Sequence, residues 1–218
     1  MLENFALPKY GHRPIAEIGS DEWSDFKHGL IKNGMGKARA NRVHTAVSAT
    51  YKMAWRLGYV SFNPLSCIGY LKEDLHNFDY WSEAELQHFL GWCFQTQNPR
   101  YHFYHFAYET GARVSETMAL KEDCVNLEIG ALVIRRAFCR VTRQVRLTTK
   151  SGRQRVLGIS AGLRGTLQRL LTGNPDGFVF RHADEAIFSY EWLKQRFMED
   201  QLAAGSRVIG LHTCLRSI

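Results

Sequence analysis

Apolar residues recur at helical spacing in the first third of the chain and predict two amphipathic helices. Trp23 and Phe26 follow Ser20, a residue type that commonly caps helix N-termini. A longer helix is predicted over residues 38–57, with Gly58 as the residue that ends it. The polar side of this second helix is basic and carries Lys37, Arg39, Arg42, His44, Lys52 and Arg56.

A polar segment at residues 70–80 interrupts the pattern, which then starts again. Ser82 and Glu85 have the spacing of a capping box and precede a new apolar run. Further helices are predicted at residues 101–110, 114–120, 161–171 and 190–202. We therefore predict two domains, a helical domain at residues 1–78 and a second domain at residues 79–218.

Between residues 123 and 160 the apolar pattern changes to alternation, which is typical of strands. Strands are predicted at residues 132–134, 141–147 and 156–159. Ser151 and Gly152 are expected to form a hairpin turn between the last two. The predicted fold class is mostly α with a small antiparallel β-sheet.

Composition narrows the class of protein. Hydrophobic residues make up 45% of the 218 residues, which is sufficient for a packed core. No run of 18 apolar residues is present, so we expect no membrane association and a cytoplasmic location. Five cysteines without a C-x-x-C pair predict reduced thiols and no metal site.

Charge indicates a polyanionic partner. Lys and Arg number 28 against 21 Asp and Glu, which gives a net charge of +7. Residues 130–175 contain no acidic residue, and Arg dominates over Lys there, which suits bidentate phosphate binding. The basic residues of this segment are Arg135, Arg136, Arg140, Arg143, Arg146, Lys150, Arg153, Arg155, Arg164 and Arg169.

Three motifs follow one another in the second domain. They are T-G-A-R-V-S-E-T-M-A-L at residues 110–120, T-K-S-G-R-Q-R at residues 149–155 and L-H-T-C-L-R at residues 211–216. In this order they resemble the tyrosine recombinase (phage integrase) family. The first resembles its arginine box and the second its β-hairpin lysine motif. The resemblance implies a helical core-binding domain followed by an α+β integrase-like catalytic domain.

The resemblance also implies roles for individual residues in the transesterification of a DNA phosphodiester. Arg113 and Arg216 would neutralise the phosphate, Lys150 would protonate the leaving 5′-oxygen, and His212 would accept a proton and bind the phosphate. Glu116 would orient Arg113. The expected partner is double-stranded DNA, clamped between the two domains, with a possible homo-tetramer on DNA and with no metal or cofactor. The expected DNA contacts are Arg39, Arg42, His44, Arg153 and Arg155.

Two features depart from the family pattern. The usual H-x-x-R spacing is one residue longer here, because His212 is followed by Thr-Cys-Leu-Arg216. The family's nucleophilic tyrosine lies beyond this box, whereas no tyrosine follows Tyr190. We therefore expect a C-terminally incomplete recombinase that is inactive as this chain. The alternatives are a non-catalytic DNA-binding protein derived from a recombinase and, less favoured, an RNA-binding module.

Overall fold

The computed structural model describes residues 1–73, 80–148, 152–182 and 187–211. The chain divides into two compact units, Met1–Asn77 (unit 1) and Phe78–Ile218 (unit 2). The described part of unit 1 is helical, whereas unit 2 adds small antiparallel sheets to its helices. The fold class predicted from the sequence is confirmed.

Unit 1 is built on two long helices. It begins with a π-helical turn at Leu2–Ala6 and α1 (Leu7–Tyr10), followed by α2 (Ser20–Lys32) and α3 (Lys37–Arg56). Short 3-10 turns lie at Ile15–Glu17 and Pro64–Cys67. The helical segment before residue 11 is absent from the sequence-based prediction, because it is short and Pro8 lies within it.

The core of unit 1 joins α2 to α3 through aromatic side chains. Trp23 on α2 donates its indole N–H to the Tyr51 hydroxyl on α3 at 2.9 Å, and Tyr51 donates in turn to the Ile15 carbonyl at 3.0 Å. The predicted cap of α2 is off by one residue. Gly19 is the N-cap, and the Ser20 hydroxyl donates instead to the Pro64 carbonyl.

Unit 2 has its helices close to the predicted positions. They are α4 (Glu83–Gln95), α5 (Tyr101–Thr110), α6 (Val114–Met118), α7 (Ala161–Leu170) and α8 (Tyr190–Ala203). Ser82 and Glu85 form the predicted capping box, in which each side chain accepts a backbone N–H of the other residue. Trp81, Phe89, Phe103, Phe106 and Phe197 are buried in the core between these helices.

The sheets of unit 2 differ from the prediction. β2 (Ala131–Ile134) lies between β1 (Val125–Asn126) and β5 (Arg155–Gly158), all antiparallel, with Ile134 opposite Arg155. β3 (Ala137–Cys139) pairs separately with β4 (Gln144–Arg146). The predicted hairpin between residues 141–147 and 156–159 is therefore wrong.

A turn inside the predicted strand explains this error. Residues 140–143 turn the chain from β3 into β4, and Arg143 has a positive φ of 53°. Val141 made the segment look like a strand, but its side chain is 91% exposed. Buried Leu132 and Ile134 belong to β2, which pairs with β5.

Among the described residues, no helix is long and apolar enough to cross a membrane.

Candidate active site and nucleic-acid interface

Arg113 lies at a sharp break between two helices. Gly111 ends α5 in the left-handed conformation, with φ of 58° and ψ of 20°, which glycine adopts at little cost. Arg113 is then the N-cap of α6. Its backbone N–H donates to the Glu116 carboxylate at 3.0 Å, and its Nη1 donates to the same carboxylate at 2.7 Å. The guanidinium is held by its own helix, and the Arg113 side chain is still 40% exposed.

A second arginine binds the same carboxylate from the sheet. Arg155, the first residue of β5, donates from Nη2 to Glu116 Oε2 at 2.7 Å. Glu116 is 1% exposed, whereas the side chains of Arg113 and Arg155 are 40% and 38% exposed. Because two cations share one anion, this cluster carries a formal net charge of +1 near the surface. We call Arg113, Glu116 and Arg155 the arginine–glutamate cluster.

The cluster can bind a phosphate. A guanidinium has five N–H donors, and the bonds to Glu116 use one from each arginine. The donors that remain are arranged as a planar fork, which matches the oxygens of a phosphate group. A buried carboxylate that fixes both forks lowers the entropy lost when they bind.

Three of the four predicted catalytic residues, Lys150, His212 and Arg216, lie outside the described residues. Among the predicted site residues, the structure brings together Arg113 and Arg155.

The segment that leads to residue 212 is firmly attached to the helices. Gln201 on α8 is buried and bonds both the N–H and the carbonyl of Ile209, at 2.7 and 3.3 Å. Trp81 donates its indole N–H to the Arg207 carbonyl at 2.8 Å. Leu211, the last described residue, is 3% exposed. These contacts attach residues 207–211 to Trp81 and to α8.

Several arginines of the basic segment are engaged within unit 2. Arg135 and Arg136 bind the Asp123 carboxylate at 2.6 and 2.7 Å. The hydrogen bond from Arg136 is the main reason that the pKa of Asp123 is lowered. Arg164 donates to the Leu127 carbonyl at 2.6 Å. Arg140 lies 4.2 Å above the Tyr190 ring.

Five arginines of the basic segment are exposed. They are Arg140, Arg143, Arg146, Arg153 and Arg169. Four of them lie between the end of β3 and the start of β5, and Arg169 lies on α7.

In unit 1 the predicted DNA contacts separate into two groups. Arg39 and Arg42 are exposed on α3, and the Arg39 guanidinium lies 5.2 Å from the centre of the Phe5 ring. His44 is 6% exposed and packs 4.8 Å from the Tyr70 ring. Burial and the nearby charge of Lys27 lower the pKa of His44. Its predicted position on the polar side of the helix is wrong, because His44 lines the same small cavity as Phe26 and Leu30 of α2 and also contacts Tyr70.

A buried ionic network in unit 2 is absent from the sequence-based prediction. Asp200 on α8 is 4% exposed and accepts hydrogen bonds from Arg100 at 2.6 and 2.7 Å. Tyr104 and Asn98 add bonds at 2.7 and 2.9 Å. Because about 100 residues separate Asp200 from these partners, local spacing gives no signal of the network. Its role is to join α8 to the start of α5.

A metal centre is not apparent in the described part of the chain. No group of three or more His, Cys, Asp or Glu side chains there is arranged to hold a metal ion.

Comparison with known proteins relates this fold to integrases. No protein-family model matches the chain, and no curated protein matches it in sequence. The Tn1549 transposon integrase in complex with transposon right end DNA is similar, with a TM-score of 0.83, 14% identity, and coverage of 99% of this chain and 74% of that chain. A lambda integrase dimer bound to a COC′ core site has a TM-score of 0.74 and 17% identity, and the match covers 98% of this chain and 76% of that chain.

A lambda integrase tetramer bound to a Holliday junction matches at a TM-score of 0.74 and 17% identity, covering 98% of this chain and 62% of that chain. These similarities extend over both units. The chain has the integrase fold that its motifs led us to expect.

Proposed function

We propose that this chain is a duplex-DNA-binding protein of the tyrosine recombinase family, and that unit 2 holds its site for DNA phosphodiester transesterification. The observation that carries the proposal is the arginine–glutamate cluster, which presents Arg113 at the surface of an integrase fold. The motif around Arg113 and the net charge of +7 add support. Roles for unit 1 and unit 2 as core-binding and catalytic domains follow from the same proposal.

The chemistry explains why guanidinium groups are needed. When an oxygen nucleophile attacks the DNA phosphorus, the transition state gains negative charge on the nonbridging oxygens. Arg113 and Arg216 neutralise this charge by preorganised hydrogen bonds, so the proposed step calls for no metal or cofactor. The bond from phosphorus to the 5′-oxygen then breaks, Lys150 protonates the leaving oxygen, and His212 accepts the nucleophile's proton.

The sequence also favours a second candidate function, binding without cleavage. The usual family spacing of histidine and arginine is H-x-x-R, whereas three residues separate His212 from Arg216 here. Under this alternative the 218-residue polypeptide occupies DNA sites and forms no covalent link. Arg113 and Lys150 then serve as phosphate ligands.

A binding assay with matched variants tests the shared part of both candidates. Arg113→Ala is expected to weaken duplex binding about tenfold, the effect of losing one charge-assisted contact. Arg196→Ala is the matched control, because Arg196 also pairs with a glutamate three residues later and is 43% exposed. Equal effects of the two substitutions would contradict a phosphate site at Arg113. Preference for single-stranded RNA over duplex DNA would contradict both candidates.

Covalent capture on a nicked suicide duplex distinguishes the candidates. Binding without a protein–DNA adduct supports the non-catalytic function of these 218 residues, whereas an adduct that Arg113→Ala abolishes supports the recombinase. Size measurement of the complex on a Holliday junction tests a homo-tetramer, which we propose because the similar lambda integrase forms one there.

A further inference from the structure

The exposed face of α3 carries cations and no acid. The helix contains Lys37, Arg39, Arg42, Lys52 and Arg56 but no Asp or Glu in its 20 residues. Arg42, Thr45, Ala49, Lys52 and Arg56 are exposed and follow one another at spacings of three and four. They therefore share one side of the helix, opposite the side that buries Val43, Val47 and Tyr51. This charge matches a polyanion.

The dimensions of this face fit a DNA groove. Arg42 and Lys52 are ten residues apart, which is about 15 Å along a helix axis. The major groove of B-DNA is about 12 Å wide and admits an α-helix. When the helix lies in the groove, the two cations can reach the phosphates that border it, while the residues between them face the base edges.

The hydrogen-bonding groups of the middle of α3 are already used within unit 1. Thr45 donates to the Asn41 carbonyl at 2.9 Å, and Thr50 donates to the Ala46 carbonyl at 3.2 Å. Ser48 accepts a bond from the Asn63 amide at 2.9 Å.

Apart from the cations already assigned to phosphates, Asn41 and His44 are the side chains in this helix best suited to recognise a base by hydrogen bonds. Asn41 exchanges bonds with the backbone of Leu71 and donates to Glu73, all at 2.9 Å. His44 is buried against Tyr70. Asn41 and His44 therefore cannot hydrogen-bond a base edge unless these contacts within unit 1 are broken.

The methyl groups of Thr45 and Ala49 remain for the base edges. We propose that α3 recognises thymine C5-methyl groups in the major groove through Thr45 and Ala49, with Arg42 and Lys52 on the flanking phosphates. Apolar contact with this methyl is a known way to distinguish thymine from cytosine and from uracil. The inference rests on the proposed function, since it names what unit 1 reads in the duplex.

The test begins with selection of bound sites from a randomised duplex pool by the whole chain. Each thymine of a selected site is then replaced by deoxyuridine, which removes only the methyl group. We expect at least one position to lose about fourfold in affinity, the value of one buried methyl. In a variant site that has cytosine at that position, replacing this cytosine by 5-methylcytosine is expected to raise affinity by a similar factor.

Two substitutions at one residue assign the effect to α3. Thr45→Ser keeps the hydroxyl bond to Asn41 and removes the methyl, so the penalty of deoxyuridine should disappear at the thymine that Thr45 contacts. Thr45→Val keeps the methyl and loses the hydroxyl, so the penalty should remain. Arg42→Ala is expected to weaken all duplexes alike and to reduce the salt slope by about 1.

The outcomes separate this inference from the proposed function. Failure to enrich or bind any duplex would contradict the proposed function itself. Duplex binding that is insensitive to deoxyuridine at every thymine would overturn the thymine reading and leave the proposed function standing. A deoxyuridine penalty that Thr45→Ser and Ala49→Gly both leave unchanged would also overturn it, because another element would then read the methyl.

Discussion

Replacing the shared carboxylate by an amide should loosen both arginines of the arginine–glutamate cluster. In Glu116→Gln the side-chain oxygen can still accept a hydrogen bond from one guanidinium. The new NH₂ group faces the other guanidinium, so two hydrogen-bond donors oppose each other there. The 1% exposure of Glu116 leaves no room for the amide to turn toward water. The substitution should therefore affect Arg113 and Arg155 together.

The magnitude follows from the bonds that are lost. Hydrogen bonds to charged groups contribute about 1.5–3 kcal/mol each, and one of the two guanidinium bonds is lost while the other loses its charge. Solvent offsets part of this loss, because the Arg113 and Arg155 side chains are 40% and 38% exposed. We expect the free energy of unfolding of unit 2 to fall by about 2 kcal/mol, which moves its urea midpoint by about 1 M.

Hydrogen exchange of peptides from α5, α6 and β5, measured across a urea series, reports this unfolding for unit 2 alone. Glu199→Gln is the matched control, because Glu199 binds Arg196 at the surface and its side chain is 39% exposed. The control should change stability by less than about 0.5 kcal/mol. A midpoint for Glu116→Gln equal to that of the control would refute the idea that a buried carboxylate holds Arg113.

Three further predictions concern the frame around the site. Asp200→Asn should destabilise unit 2 by about 3–5 kcal/mol, because Arg100 loses the negative charge of its buried partner; differential denaturation measures this. Burial opposes the charged form of Asp200, but its hydrogen bonds from Arg100, Tyr104 and Asn98 outweigh that effect and lower its pKa. The stability that Asp200 contributes should therefore be complete above about pH 4 and should be lost as the pH falls through its lowered pKa in the folded state. Asp200→Asn should not show this loss. Hydrogen bonds from Thr142 lower the pKa of Cys139 to about 7, so the alkylation rate of Cys139 should be half-maximal near pH 7. Cys93 is buried and has a pKa of about 12, so it should react only after unfolding.

Helix positions were predictable from the sequence because their signals are local. The capping box of Ser82 and Glu85 marks the start of α4, and the spacing of aromatic residues predicts α5 at residues 101–110, as found. The likeness of the motif around Arg113 to a recombinase arginine box led to the integrase fold, which the comparisons confirm.

Strand pairing and burial were less predictable because they depend on distant partners. The alternation at residues 141–147 gave no sign that β4 pairs with β3 or that β5 lies beside β2. His44 has a polar side chain on a basic helix, and its burial depends on residues distant in the sequence, such as Phe26 and Tyr70. The meeting of Arg155 with Glu116 likewise requires the pairing of β2 and β5, although both residues lie in motifs that the sequence had singled out.

The central claim is that cationic surfaces of this chain bind duplex DNA through its phosphates. Fluorescence anisotropy of a labelled duplex with the 218-residue chain, measured from 50 to 200 mM salt, tests it most directly. If six or more phosphates are contacted, affinity should fall by about 10³-fold or more over that range. An affinity that stays constant within about twofold, or no duplex binding at the lowest salt, would contradict the account.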